Sequence, residues 1–226
     1  RQLSQELGRG TLSRIVALPH SEGCGYLSGG SRDLFLDTLV GYLTHPLVGE
    51  ALLLEHGCDK IHNGVVRARL REDGIEPARF GTASIQLDGG LESVTEKVIG
   101  WFRSRTGRGR QVPRQDAGVG DLTIGILSSR PISKEAGTTL SELTRRLVEE
   151  GTTVILPEGD PLLELLLESA ILGSKPDPTL GYGRIVKHAG LHVMANPGRH
   201  RVEALTGMSA CGCSLIVGYE GRRPQA

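Results

Sequence analysis

Two short stretches of the sequence carry most of the side chains that could bind a metal or move a proton. The first, LPHSEGCG at 18–25, contains His20, Glu22 and Cys24. The second, EHGCDKIHN at 55–63, adds Glu55, His56, Cys58, Asp59 and His62. Imidazole, thiolate and carboxylate groups suit a divalent transition metal, and they also suit proton abstraction beside a carboxylate. The spacing differs from that of zinc fingers and zinc ribbons, and an ordinary polar loop is the simpler alternative.

A third polar turn lies near the C-terminal end of the sequence. Asn196, Pro197 and Gly198 would lead into a helix whose first backbone amides could hold an anion. Arg199 and Arg201 could clamp a carboxylate there, and a solvated turn is the alternative. The Cys-Gly-Cys at 211–213 could bind a soft metal, although a packing point of small residues is the interpretation that we favour.

Charge and composition argue against several classes of function. The 226 residues include 26 Lys plus Arg and 26 Asp plus Glu, so a net charge of zero gives no general attraction to nucleic acid or membrane. Four cysteines are too few for a disulfide scaffold and indicate a reducing, cytoplasmic compartment. No apolar run approaches the ~20 residues that span a bilayer, and no signal peptide is recognised. The fingerprints GxGxxG, GxxxxGK[ST] and GxSxG are absent, which disfavours dinucleotide, P-loop and α/β-hydrolase sites.

Apolar periodicity alternates between strand and helix along the chain. Strands are predicted at 14–18, 51–54, 83–87, 122–127, 153–156, 191–194 and 215–217. Helices are predicted at 31–44, 63–72, 91–102, 136–150, 161–172 and 202–208. The alternation predicts an α/β fold with two Rossmann-like lobes of mainly parallel strands flanked by helices. The lobes would be 1–105 and 122–226, with the basic, glycine-rich segment 106–121 as a linker.

The predicted fold places the two polar stretches together. In open α/β sheets, ligands bind beyond the carboxyl ends of the strands. Both stretches follow predicted strands, so we expect the loops that carry His20, Cys24, His56 and Cys58 to face one cleft. Some of these side chains should lie within ~10 Å of each other, the scale of a small pocket.

The same residues resemble those of the altronate/galactarate dehydratase family. That family has a His-x-x-Gly-Cys-Gly turn, then a Gly-Tyr-x-x-His-Pro segment and a Gly-Cys-Glu turn. The matching positions here are His20, 23–25, 41–42, 45–46 and 57–59. EEGTTVILPE at 149–158 and the C-terminal segment VMANPGRHRVEALTGMSACGC are similar to later elements of the family.

The resemblance implies a lyase that removes water from a sugar acid with a divalent metal, Fe2+ or Mn2+. It implies catalytic roles for His20, Cys24, His56 and Cys58, and a metal site that adds Glu22 to His20, Cys24 and Cys58. Arg130, Asn196 and Arg199 are the expected substrate-binding residues, since a guanidinium can grip both oxygens of a carboxylate.

Two departures from the family qualify this expectation. The family's Cys-Gly-Gly-Ser-Asp turn is replaced by Ser128–Ser133, so a thiol and a carboxylate are lost. The small N-terminal domain of the family is also not recognised, and we expect a separate domain or subunit of that type, or weak activity without it. The competing class is a degenerate relative that binds a hydroxy acid or regulates another protein. A hydrolase with Cys24 as its nucleophile is a less favoured class, because the sequence offers no identifiable third residue that would orient the base. The expected partners are a small hydroxy acid and further copies of this chain, with no nucleic acid and no membrane.

Overall fold

The computed structural model describes residues 14–20, 29–105, 115–168 and 180–221. Within them the chain forms an alternating series of helices and parallel strands. In chain order these are α1 (Gly30–Leu43), β1 (Leu52–Glu55), α2 (Asn63–Glu72), β2 (Gly81–Ser84), α3 (Leu91–Arg105), β3 (Thr123–Ser128), α4 (Lys134–Glu149), β4 (Thr153–Pro157), α5 (Pro161–Glu168), β5 (Gly190–Met194), α6 (Arg201–Ala210) and β6 (Leu215–Tyr219). The predicted α/β class is confirmed in this coarse sense.

The chain divides into two compact units. Unit 1 consists of Arg1–Leu36 and Val48–Gln115, and unit 2 of Asp37–Leu47 and Asp116–Ala226. The grouping differs from the expected lobes at 37–47, which cluster with the C-terminal unit. This segment holds the second half of α1 and the turn after it.

Unit 1 is organised around the parallel pair β1 and β2. Leu52 lies opposite Gly81 and Glu55 lies opposite Ser84, so both strands end at the same edge. Helix α2 buries Val66 and Leu70. It begins where His62 Nδ1 accepts a hydrogen bond from Gly64 N at 3.1 Å, as an N-cap residue does. The loops that follow β1 and β2 therefore lie side by side.

Unit 2 contains a four-stranded parallel sheet in the order β5-β4-β3-β6. Strands β3, β4 and β5 lie side by side in chain order, and β6 pairs with the other side of β3. The sheet is buried on both faces: Val154 and Leu156 of β4 belong to one apolar cluster, and Ile155 between them belongs to the other. A parallel sheet covered on both faces is the expected arrangement for βα repeats.

Local signals explain where the helices of unit 2 begin. Ala136 N donates to Ser133 Oγ at 3.2 Å, which caps α4. Helix α5 has Pro161 in its first turn, where its missing N–H costs nothing, and Leu162 N donates to Asp160 Oδ1 at 2.9 Å. Both starts are readable from the sequence.

The prediction of a strand at 14–18 is wrong. Residues 14–20 have no strand or helix structure, and Val16 and Leu18 are 57% and 62% exposed. A run of apolar residues becomes a strand only when a neighbouring strand supplies its hydrogen bonds, and the run itself does not reveal that neighbour. The predicted strand at 83–87 also begins earlier, as β2, and gives way to turns after Ser84. No helix among the described residues has the length and apolarity required to cross a bilayer.

Candidate functional site

The loop after β1 uses its carboxylates to hold its own backbone. The Glu55 carboxylate accepts a hydrogen bond from Asn63 N at the start of α2. Asp59 Oδ2 accepts from His56 N at 2.8 Å and from Gly57 N at 3.1 Å. His62 caps α2, as described above. These three residues, which the sequence offered as possible ligands, therefore shape the loop.

The remaining polar side chains of this loop are brought together. His56 Nδ1 lies 3.3 Å from Cys58 Sγ, and Gln86 Nε2, from the loop after β2, lies 3.4 Å from the same nitrogen. His56, Cys58 and Gln86 are all exposed. The Cys58 sulfur is disulfide-bonded in the structure.

Gly57 allows the loop after β1 to come close to Gln86 in the loop after β2. Its φ is 118°, a value that L side chains rarely adopt, and a Cβ at this position would lie 2.7 Å from Gln86 Cβ. The backbone on either side is paired with the next loop, because Gln86 N donates to His56 O at 3.0 Å. A glycine is required between His56 and Cys58 both for the backbone conformation and for the contact with Gln86.

The other predicted members of this site are only partly described. His20 is exposed, and its ring meets the Phe35 ring edge-on with 4.8 Å between centroids. Glu22 and Cys24 lie outside the described residues. The shared cleft for the two stretches stays a prediction. Among the described residues, no three side chains of His, Cys, Asp or Glu come together as a metal site.

At the carboxyl edge of the unit 2 sheet, a buried carboxylate joins two strands. Asp160 follows β4 and is 4% exposed. Its Oδ2 accepts from Ser128 N at 2.7 Å, and the Ser128 hydroxyl donates to Oδ1. Desolvation raises the pKa of Asp160 above its ordinary value, and the hydrogen bonds from Ser128 and Leu162 oppose that rise. Every described contact of this carboxylate serves to hold the end of β3 against the loop that begins α5.

The predicted substrate-binding residues of unit 2 have different environments. Arg130 Nη2 lies 2.8 Å from both carboxylate oxygens of Glu164 on α5, and both side chains are more than 60% exposed. Asn196 follows β5 and is 5% exposed, and its Oδ1 has no hydrogen-bond partner among the described residues. Arg199 is exposed and has a φ of 49°. Asn196 therefore has an unused buried acceptor, whereas Arg130 already binds a carboxylate.

A second polar cluster lies where β3 and β6 end. Arg201 Nη2 lies 2.5 Å from Glu220 Oε1. Ser129 Oγ donates to Glu220 Oε2 at 3.1 Å, and Ser129 N donates to Tyr219 O at 3.1 Å. The sequence singled out Arg201 but neither Ser129 nor Glu220, because the two residues are 91 positions apart.

The Cys-Gly-Cys segment packs against apolar side chains. Cys211 and Cys213 are 3% and 6% exposed and belong to one apolar cluster of unit 2. Burial raises the pKa of each thiol to about 12, so neither is a thiolate at neutral pH. The packing interpretation of this segment is supported.

The Gly-Tyr-x-x-His-Pro segment at 41–46 also has a structural role in unit 2. A Cβ at Gly41 would lie 2.2 Å from Ala210 O, so α1 can approach α6 closely only with glycine there. His45 Nδ1 accepts from Leu47 N at 3.1 Å, and Nε2 lies 3.2 Å from Cys213 O, to which it donates. His45 borders a cavity of about 260 Å³, but both of its ring nitrogens are occupied.

Comparison with known proteins assigns the N-terminal region. The family described as D-galactarate dehydratase/Altronate hydrolase, second domain, matches residues 1–106. This region, a little under half of the 226 residues, is similar to that domain. The match includes His20, Cys24, His56 and Cys58, and it ends before the sheet of unit 2. No curated protein matches the chain.

Four residues of these sites were not singled out by reasoning from the sequence: Gln86, Ser129, Asp160 and Glu220. Asp160 directly precedes a proline at the start of a helix, which is a recognisable N-cap position. Gln86 and Glu220 carry no comparable local signal. Gln86 contacts His56 only because β1 and β2 are neighbours, and Glu220 contacts Ser129 only because β6 is added next to β3.

Proposed function

We propose that the protein is a lyase of the sugar-acid dehydratase type, which removes water from galactarate, altronate or a related hydroxy acid. The observation that carries the proposal is the family match of residues 1–106, the region that contains the His56–Cys58 pair. The enzymes named in the family description act on these sugar acids, and their substrates carry a carboxylate beside the carbon that loses a proton. The predicted cytoplasmic location stays a prediction.

The donor set of the loop after β1 suits part of a metal site. Cys58 lies in this loop and His20 is exposed, and imidazole with thiolate is a combination that binds borderline divalent metals once the Cys58 disulfide is reduced. We propose that His20, Glu22, Cys24 and Cys58 hold Fe2+ or Mn2+, with Cys58 in its reduced form. A divalent metal would stabilise negative charge on the substrate and on the departing hydroxyl.

His56 is the proposed base. The ring is exposed at the end of β1, and an imidazole nitrogen that carries no proton can accept one from a substrate. Gln86 and the hydrogen bonds from His56 N and Gly57 N to Asp59 fix the direction of the ring and of the loop. Hydroxy-acid binding through Arg130, Asn196 and Arg199 remains part of the proposal.

A degenerate relative that binds hydroxy acids without turnover is the second candidate. Its support is the turn after β3, where Ser128–Ser133 replaces the family's Cys-Gly-Gly-Ser-Asp turn and its thiol and carboxylate are lost. In this turn Ser128 is bonded to Asp160 and Ser129 to Glu220. Such a protein would need a partner, either a small domain of the family's N-terminal type or further copies of this chain.

The test is a metal and turnover assay on the reduced chain. Protein treated with a thiol reductant is incubated anaerobically with Fe2+ or Mn2+, desalted and analysed for metal, and then mixed with galactarate or altronate while keto-acid formation is followed by NMR. We expect about one bound metal ion, weak turnover and binding of the acid. His56→Ala should abolish turnover, because removal of a general base typically costs about 10²-fold or more.

His62→Asn is the matched control, since it changes a histidine of the same loop while an asparagine retains the cap of α2. Equal turnover by wild type and His56→Ala would exclude His56 as the base. Acid binding without turnover under every condition would favour the degenerate relative. Absence of both metal and acid binding would contradict the proposed function.

A further inference from the structure

The cluster formed by Arg201, Ser129 and Glu220 is a carboxylate held by two donors. Arg201 contacts one oxygen of Glu220 at 2.5 Å, and the Ser129 hydroxyl donates to the other at 3.1 Å. The hydroxyl is oriented for this bond because its oxygen also accepts from Gly221 N at 3.1 Å. A guanidinium and a hydroxyl directed at the two oxygens of one carboxylate are the contacts that a bound organic acid would need.

The position of the cluster is that of a ligand site in open parallel sheets. The strand order β5-β4-β3-β6 reverses between β3 and β6, and ligands bind outside the carboxyl ends of the strands at such a point. Ser129 follows β3 and Glu220 follows β6. Gly218 leaves room for the arginine, because a Cβ there would lie 3.3 Å from Arg201 Nη2.

Arg201 is better placed for this role than Arg130. The Arg130–Glu164 pair has side chains 64% and 63% exposed, whereas those of Arg201 and Glu220 are 37% and 36% exposed. Partial removal from water strengthens a charge-assisted contact. Arg201 also interacts electrostatically with Asp160, the buried carboxylate that joins β3 to β4.

We propose that Arg201 and Ser129 bind the carboxylate of the hydroxy acid, and that Glu220 occupies their place in the absence of the acid. This inference rests on the proposed function, since it takes the hydroxy acid as the ligand. Glu220 can be displaced because a half-exposed ion pair contributes little net free energy. The sequence of events is one exchange: the Glu220 carboxylate leaves Arg201 and Ser129, and the carboxylate of the ligand replaces it.

The experiment is calorimetric titration of the full chain with galactarate, and with galactitol, the neutral polyol that lacks carboxylates. Glu220→Gln should bind galactarate about threefold to fivefold more tightly, because the competing ion pair is worth roughly 1 kcal/mol or less. Arg201→Met should bind it about tenfold to a hundredfold more weakly, the usual effect of losing a hydrogen bond to a charged group. Neither variant should change the response to galactitol. Glu142→Gln and Arg146→Met are matched controls, since Arg146 Nε lies 2.6 Å from Glu142 in an ion pair on α4.

The outcomes separate this inference from the proposed function. Galactarate binding that is equal in wild type, Glu220→Gln and Arg201→Met would overturn the inference and leave the proposed function intact. Weakening by Arg130→Met without weakening by Arg201→Met would do the same and would return the role to Arg130. Absence of galactarate binding in both wild type and Glu220→Gln would overturn both.

Discussion

The polar edges of the two units use the same types of side chain in opposite ways. In unit 1, Glu55 and Asp59 accept hydrogen bonds from backbone N–H groups of the described residues, and His56 and Cys58 lie exposed beside each other. In unit 2, Asp160 and Glu220 bond to side chains from another strand, Ser128 and Ser129. The carboxylates of unit 1 shape a loop, whereas those of unit 2 connect strands.

The difference has a physical cause and a consequence. The carboxylates of Glu55 and Asp59 are engaged by their own loop, which leaves the His56 imidazole exposed, and reduction of the disulfide would free the Cys58 sulfur as well. Asp160 is buried between strands and must be satisfied by nearby donors, because an unpaired buried charge is costly, whereas Glu220 is exposed. We therefore expect substitutions at the unit 2 edge to reduce stability, and substitutions at the unit 1 edge to reduce activity, except where the backbone itself depends on glycine.

The largest loss of stability should come from Asp160→Ala. The variant removes the cap of α5 and leaves the Ser128 N–H and hydroxyl without their acceptor, which together should cost about 3 kcal/mol. The measurement is native-state hydrogen exchange of the amides in β3 and β4, which reports the free energy of opening of this sheet. Asp121→Ala is the control, because that exposed carboxylate caps only a surface turn at 118–121. A loss below about 1 kcal/mol would remove the contrast between the two edges.

A smaller loss is expected for Gly57→Ala in unit 1. The φ of 118° and the Cβ of Gln86 both oppose a side chain here, and the resulting strain should cost about 2 kcal/mol. The same variant should separate His56 from Gln86, which is detectable as a shift of the His56 ring signals in NMR spectra. Gly100→Ala is the matched control, and it should increase stability. Gly100 lies in α3 with open space around it, so alanine should stabilise the helix. Unchanged ring signals in Gly57→Ala would contradict the proposed packing of the loop.

The smallest effect on stability should come from His56→Ala. The side chain is exposed and contacts the side chains of Cys58 and Gln86, so the free energy of unfolding should change by no more than about 0.5 kcal/mol. Denaturant-induced unfolding of wild type and variant under reducing conditions is the measurement. A large loss would show that this imidazole supports the fold of unit 1, and the edge of unit 1 would then resemble that of unit 2.

Much of the fold could be predicted because its signals are local. The spacing of Leu140, Leu143 and Leu147 predicts α4, and Ser133 marks its first turn. The apolar runs at 123–128 and 153–157 predict buried parallel strands. The run at 14–18 has the same local character and forms no strand, since pairing depends on a neighbour that lies elsewhere in the chain.

The sequence by itself determined the alternation of strands and helices, the family resemblance of residues 1–106 and the loops in which metal-binding types of side chain occur. Only the tertiary structure decided which of those side chains are engaged. Glu55, Asp59 and His62 are used by backbone groups, Arg130 is paired with Glu164, and Arg201 shares Glu220 with Ser129. The physical reason is that periodicity and capping act over a few residues, whereas the partner of a polar side chain is set by which strands become neighbours.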